Sequence, residues 1–236
     1  MLLRLGVRHW ASFDREVVAG AHEAHLQLQL TDATYSVDGV EAHCPPGVYH
    51  ATSASSSTFL LRHLNGVNFG DHPSILEVGV GSGAVLLSLA KRLGDGVFVG
   101  VDISDLAVKT ARSNAVRNGL NVDIRKSDLF DAVAGERFDA IFFNAPLYDR
   151  EPRSAVEEHM LCDPGGRILE RFVREAPRHL KPGGAAFVTA SNIGLVAPLD
   201  DPTVSIALKG AELFDTGVIR ALVRITPART RKDTPP

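Results

Sequence analysis

The chain has 236 residues, 44% of them hydrophobic and 22% charged, with a formal net charge of -3, the mix of an ordinary globular domain. Its two cysteines, Cys44 and Cys162, stand far apart in no zinc-like or redox-like spacing, so no disulfide framework organises the fold and a reducing, cytoplasmic setting is expected. No apolar run reaches the ~18 residues of a bilayer span, and 25 Lys and Arg against 28 Asp and Glu argue against a dedicated nucleic-acid binder.

In chain order, residues 26–50 read as short strands with turns at Thr31-Asp32 and Asp38-Gly39 and a break at Pro45-Pro46-Gly47. The polar run Ser53–Ser57, before Thr58, either lines a ligand's entrance or forms a lid. Between about Ser74 and Ser191 short apolar runs alternate with amphipathic stretches, as in βα units feeding a parallel sheet. Strands are predicted at Ile75–Val78, Val97–Val101, Val122–Ile124, Ala140–Phe143 and Ala185–Thr189. Most are continuous apolar runs, suited to burial on both faces.

Helices are predicted at Val85–Leu93 and from a Ser104 or Asp105 cap to Asn118-Gly119, the latter turning Leu106, Val108, Ala111 and Ala115 inward. A third runs from about Gly166 to Leu180, burying Ile168, Leu169, Phe172, Val173 and Ala176. Val204–Leu208 and Val218–Ile225 are expected to close the sheet as an antiparallel pair. The fold class is α/β: a Rossmann-like, doubly wound, mostly parallel sheet with an antiparallel C-terminal pair and a short β-rich N-terminal extension. The expected division is an extension over 1–70 with a substrate-side lid, a ligand-binding domain over 71–226 and a disordered tail over 227–236.

Glu77-Val78-Gly79-Val80-Gly81-Ser82-Gly83-Ala84 falls where the first parallel strand turns into its helix. Glycines there permit a tight turn and let a ligand approach where a Cβ would intrude. Gly79-x-Gly81-x-x-Ala84 also fits the dinucleotide fingerprint, with Asp102 on the ribose of NAD. Three features favour S-adenosylmethionine instead. Glu77 suits a ligand bearing ammonium and sulfonium charges better than a pyrophosphate. Asp128, in Ser127-Asp128-Leu129, is placed to accept from an adenine amino group. The third feature is the end of the fourth parallel strand.

There the chain resembles the class I S-adenosylmethionine-dependent methyltransferases, over about residues 47–192. Leu76-Glu77-Val78-Gly79-Val80-Gly81-Ser82-Gly83 looks like the family's first motif, Val101-Asp102-Ile103-Ser104 like its second, and Phe138–Pro146 like its fourth. Val48-Tyr49 with Thr58–Leu61, and Asp163–Leu169 with Leu180–Gly184, are most similar to the HemK-like branch, which methylates glutamine amides in translation release factors. The resemblance implies S-adenosylmethionine as cofactor and S-adenosylhomocysteine as product. It places cofactor contacts at Thr58, Glu77, Gly79, Gly81, Gly83, Asp102, Ile103, Asp128, Leu129 and Asn144, and catalytic ones at Asn144, Pro146 and Tyr148.

The branch signature is Asn-Pro-Pro-Tyr, whereas this chain reads Asn144-Ala145-Pro146-Leu147-Tyr148. The Asn oxygen and the carbonyl after it are expected to orient the target nitrogen, with Tyr148 as a pocket wall. Loss of the first proline frees an N–H and weighs against a planar glutamine amide. The leading expectation is therefore N-methylation of a small molecule or peptide. A release-factor-type protein glutamine N5-methyltransferase is the alternative, followed by an NAD-dependent oxidoreductase and a catalytically silent cofactor-binding subunit. A homodimer is compatible with the sequence, and no membrane association is expected.

Weaker signals have plainer readings. Asp149, Glu151 and His159 are within reach as bases but read first as surface groups. Arg167, Arg171, Arg174 and Arg178 form a helix stripe read as a solvated face. His22-Glu23-Ala24-His25 lacks the i, i+4 spacing of a zinc motif. Cys44 and Cys162 read as small buried residues.

Overall fold

The computed structural model describes residues 15–194 and 197–228. Helix α1 (Arg15–Leu28) leads into a hairpin, β1 (Ala33–Val37) and β2 (Val40–Cys44), and then α2 (Ser56–Leu64). The alternating region follows as β3 (Ser74–Val78), α3 (Ala84–Leu93), β4 (Val97–Asp102), α4 (Asp105–Arg117), β5 (Asp123–Lys126) and β6 (Phe138–Phe143). Helices α5 (Ala155–Met160) and α6 (Arg167–Glu175) precede β7 (Leu180–Ser191), β8 (Val204–Leu213) and β9 (Ile219–Pro227).

Seven strands form one sheet in the order β5-β4-β3-β6-β7-β9-β8. The five from β3 to β7 are parallel, while β9 pairs antiparallel with β7 and β8, as expected from the sequence. Pleating sends alternate residues to opposite faces. Ile75, Phe98, Phe142 and Phe187 meet α2, α3 and α4 on one side. Leu76, Val101, Ile141 and Val188 meet α6 on the other. Both faces are covered, so most of the central strands read as largely apolar runs.

Several elements differ from their expected bounds for local reasons. Pro177 ends α6 early, because it lacks an N–H for the helix ladder, and a 3-10 turn carries the chain to β7. Leu106 is 42% exposed and stands outside the packed face of α4. The extension holds short strands about Asp38-Gly39, as expected, but its described part is richer in helix than in strand, with α1 and α2 on either side and Leu26–Leu28 finishing α1. Asp38 and Gly39 both take positive φ in the two-residue turn that joins Val37 to Val40, the geometry an Asp-Gly hairpin favours. Thr226 and Pro227 complete β9; the rest of the expected tail, from 229 on, lies outside the described residues.

Two asparagines fasten the hairpin to the parallel domain. Buried Asn114 accepts from the His43 N–H and donates to the carbonyls of His43 and Ser82, the last in the glycine loop. Asn118 makes the same two-way contact with Glu41. Helix α1 is fastened by Glu157, whose side chain is buried and accepts from Arg153, Arg150 and His22. These bonds draw that carboxyl far below the usual carboxylate range. Among the described residues, no helix is long and apolar enough to cross a membrane.

Gly100, in β4, has no room for a side chain. An added Cβ would lie 2.7 Å from Ile124, 2.8 Å from Val80 and 3.0 Å from Leu86. Gly100→Ala is expected to cost about 1–3 kcal/mol by overpacking, measured as a lowered denaturant midpoint at unchanged slope.

Candidate functional site

β3 hydrogen-bonds β4 on one side and β6 on the other, so the connections leaving the sheet diverge at its carboxyl end. Open α/β sheets bind ligands at such a switch point. A cavity of about 540 Å³ opens there, a size suited to a cofactor and part of a second molecule. Its lining includes Glu77, Gly79, Gly81, Asp102, Ile103, Asp128, Leu129, Asn144, Pro146 and Tyr148. Two expected cofactor contacts, Gly83 and Thr58, are not part of it.

Gly83 serves the turn instead. It opens α3 with φ 82°, and a Cβ there would press on Leu87 and Ala111. The Thr58 hydroxyl is turned away to the carbonyls of Thr52, Ser53 and Ser55 at the start of α2. Its neighbours Ser56 and Ser57 line the cavity in its place, and both are buried.

Gly81 takes φ 54°, and a Cβ on it would meet nothing within 4 Å. The loop therefore presents bare backbone to the cavity. Its shape is set by Asp102, which accepts from the N–H groups of Gly81 and Ser104, each at 2.9 Å. Each carboxylate oxygen keeps a further lone pair. Burial pushes the Asp102 carboxyl up while those N–H bonds pull it down, and the balance lies above its ordinary value.

Glu77 is buried more deeply, at 2% exposure. Among the described residues its carboxyl accepts only the Leu86 N–H, at 2.9 Å. Desolvation, with the nearby Asp102 charge, holds it well above the usual carboxylate range. The site thus carries a negative charge that the protein alone leaves poorly compensated.

Asp128 stands at the mouth, and Arg171 meets both of its carboxylate oxygens at 3.0 Å. Arg171 is therefore not the solvated stripe residue expected, although Arg174 stays exposed beside Glu175. Leu129 is held at φ 45° in a loop braced by the Ser127 hydroxyl on the Leu129 carbonyl. Such a conformation is uncommon outside glycine.

Beyond β6, Asn144 is held at both ends of its amide. Nδ2 donates to Ser57 Oγ at 3.3 Å, and Oδ1 accepts from Thr189 Oγ1 at 3.1 Å. Tyr148 forms a wall, edge-on to His22 with ring centroids 4.1 Å apart. Burial is the main cause that pushes its phenol up to about 12. Of the three bases weighed, His159 lines the cavity. Asp149 instead accepts the Gly165 N–H, and Glu151 is exposed near Arg167.

The far wall holds residues that spacing alone did not mark. Tyr49, His25 and Arg220 line it. Burial lowers the His25 pKa to about 4, so the ring stays neutral in ordinary buffers. Arg220 donates to the Ala54 carbonyl and lies over the rings of Phe59 and Phe214. Thr189 had a visible signal, as the lone hydroxyl ending the apolar run Ala185–Thr189.

The profile of the methyltransferase small domain matches residues 39–198. A Methanocaldococcus jannaschii protein, provisionally named a protein N5-glutamine methyltransferase, is 36% identical over 66% of this chain and 79% of its own length. A release factor glutamine methyltransferase of Streptococcus pneumoniae is 34% identical over 51% of this chain and 47% of its own. The small-subunit ribosomal RNA methyltransferase C of Alcanivorax borkumensis is 33% identical over 68% of this chain. This chain spans about half the length of those two bacterial relatives. Among solved structures, the Thermus thermophilus 16S rRNA N2 G1207 methyltransferase, in complex with AdoMet and guanosine, aligns over 84% of this chain and 50% of its own at TM-score 0.63 and 22% identity. The expected small-molecule acceptor finds no support in these names. The chain belongs to the methyltransferase small-domain family, within the HemK-like branch of the class I S-adenosylmethionine-dependent methyltransferases.

Proposed function

We propose that this enzyme methylates a nitrogen of a protein side-chain amide, the glutamine class, with the acceptor entering between Asn144 and the wall of Tyr49 and Tyr148. The observation that carries the reading is the position of Asn144-Ala145-Pro146, which line the same cavity as the glycine loop. The names of the archaeal and streptococcal relatives support it.

The residues present fit S-adenosylmethionine. Glu77 is a buried carboxylate in need of a cation, and Gly81 is a cradle that a side chain would fill. Glu77, Gly79, Gly81, Asp102, Ile103, Asp128 and Leu129 would hold it, Asp102 with the lone pairs left after bonding Gly81 and Ser104. When bound, the cofactor supplies an electrophilic methyl on sulfur. The protein's own task is alignment and exclusion of water, worth up to roughly 7–11 kcal/mol in the best intramolecular cases. Asn144 Oδ1 has one lone pair left to accept an N–H of the target and aim the nitrogen. Neutral His25 and the rings of Tyr49 and Tyr148 keep that end of the cavity poor in water.

The lining favours protein over RNA. Four carboxylates, Glu77, Asp102, Asp128 and Glu158, face two arginines. Arg171 is spent on Asp128, and Arg220 on Ala54 and two rings. Phosphate binding needs unspent cations, and these two supply none.

Glu77→Gln removes a charge that the free protein must bury. It should raise stability at pH 7, a gain that shrinks as pH falls and vanishes below the ordinary carboxylate pKa, where Glu77 is neutral folded or unfolded. The same change should weaken S-adenosylmethionine by about 10- to 100-fold, the worth of one charge-assisted hydrogen bond, read by calorimetry. With labelled methyl donor, a recombinant release factor and ribosomal subunits offered together, label should enter the protein as methylglutamine. Asn144→Ala should lower that turnover by on the order of 100-fold with near-normal affinity for S-adenosylhomocysteine. Label confined to ribosomal RNA would refute the acceptor class.

A further inference from the structure

Ala145 follows Asn144 just after β6, and its backbone N–H is used. It donates to Thr189 Oγ1 at 3.0 Å. Thr189 is fully buried on β7, and Ala145 is 5% exposed. A backbone N–H can only donate, so the Thr189 oxygen is the acceptor in that bond. Its single proton needs an acceptor of its own, and Asn144 Oδ1 lies 3.1 Å away. Turning the Asn144 amide over would place NH2 against the hydroxyl and leave the hydroxyl proton buried without a partner, which costs more than an ordinary hydrogen bond returns. Ser57 Oγ, 3.3 Å from Nδ2, accepts at the other end.

We propose that Thr189 is a positioning residue whose hydroxyl, oriented by the Ala145 N–H, fixes which edge of the Asn144 amide faces the acceptor. The inference rests on the reading that Asn144 orients the target nitrogen. The relay holds Oδ1 in one place with one lone pair committed and one free, so the site selects an acceptor nitrogen that still bears hydrogen. Ala145 is then a working part of the site.

The test compares Thr189→Val, Thr189→Ser, Ala145→Pro and the Thr189→Val/Ala145→Pro double variant in the full chain. It reads kcat and KM with a recombinant release factor, affinity for S-adenosylhomocysteine by calorimetry, and hydrogen exchange of the Asn144 side-chain amide by NMR in the free protein. Thr189→Val and Ala145→Pro should each lower kcat about tenfold, the worth of one hydrogen bond, at unchanged product affinity and with faster exchange at Asn144 Nδ2. Thr189→Ser should restore both. The double variant should be no worse than either single one, since both break one chain of bonds. If Thr189→Val fails to fold, Ala145→Pro decides, because it leaves the Thr189 side chain in place and removes its donor. Unchanged kcat and exchange in the single variants, or losses that add in the double one, overturn the relay while Asn144→Ala stays inactive. Wild-type turnover in Asn144→Ala would instead remove the reading beneath it.

Discussion

The site exists because β3 must pair on both edges while its chain neighbours leave in opposite directions. The order β5-β4-β3-β6-β7 sends the connection after β3 one way and the connection after β6 the other, and no helix can cover the gap between them. Backbone groups at strand ends have no sheet partner there, so they take local ones. Val80 donates to the Val101 carbonyl, and Gly81 and Ser104 donate to the Asp102 carboxylate. The loop thus keeps its shape without a bound ligand, and one acid both builds the cradle and faces into it. Such preorganisation means that little ordering cost falls on binding.

Charge inside the gap follows from the same geometry. Alternation along β3 sends Leu76 and Val78 into one apolar layer, and Glu77 to the other side, beneath the start of α3. Among the described residues, only the Leu86 N–H meets its carboxylate. A protein stabilised by that residue alone would gain from an apolar replacement, as buried charges cost more than they return unless paired. Its retention in a buried place makes sense as a function held at the expense of stability. By contrast, the buried Glu157 is satisfied by Arg150, Arg153 and His22, and its work is to hold α1 against α5.

Much of this was legible in one dimension, for physical reasons. Strands buried on both faces must be apolar throughout, so β3, β4, β6 and β7 announced themselves. Glycines at positive φ marked the loop, and Asp102 at a strand end marked its partner. Contacts across long stretches of sequence were not legible. Nothing around Thr58 says that its hydroxyl turns back to the carbonyls before its own helix while Ser57 faces the cavity, because one residue of helical rotation separates the two. Arg171 read as solvated because its stripe is polar, yet a long side chain reaches Asp128 from a distant turn. The hairpin's attachment through Asn114 and Asn118 was equally hidden, since a polar residue on a helix carries no sign of its partner.

Ala145 shows how a loop can be held from outside itself. A proline stiffens a turn by fixing φ and removing a donor, and a second proline at that position would have made the loop after β6 more rigid by itself. Here rigidity comes from outside the loop. The freed N–H engages β7 through Thr189, Leu147 and Tyr148 donate to the Leu161 carbonyl, and the Asp163 N–H returns to the Tyr148 carbonyl. The segment is therefore tied to the sheet on one side and to the end of α5 on the other. Because α5 is in turn tied to α1 through Glu157, the wall that faces the acceptor and the loop that orients it share one set of supports.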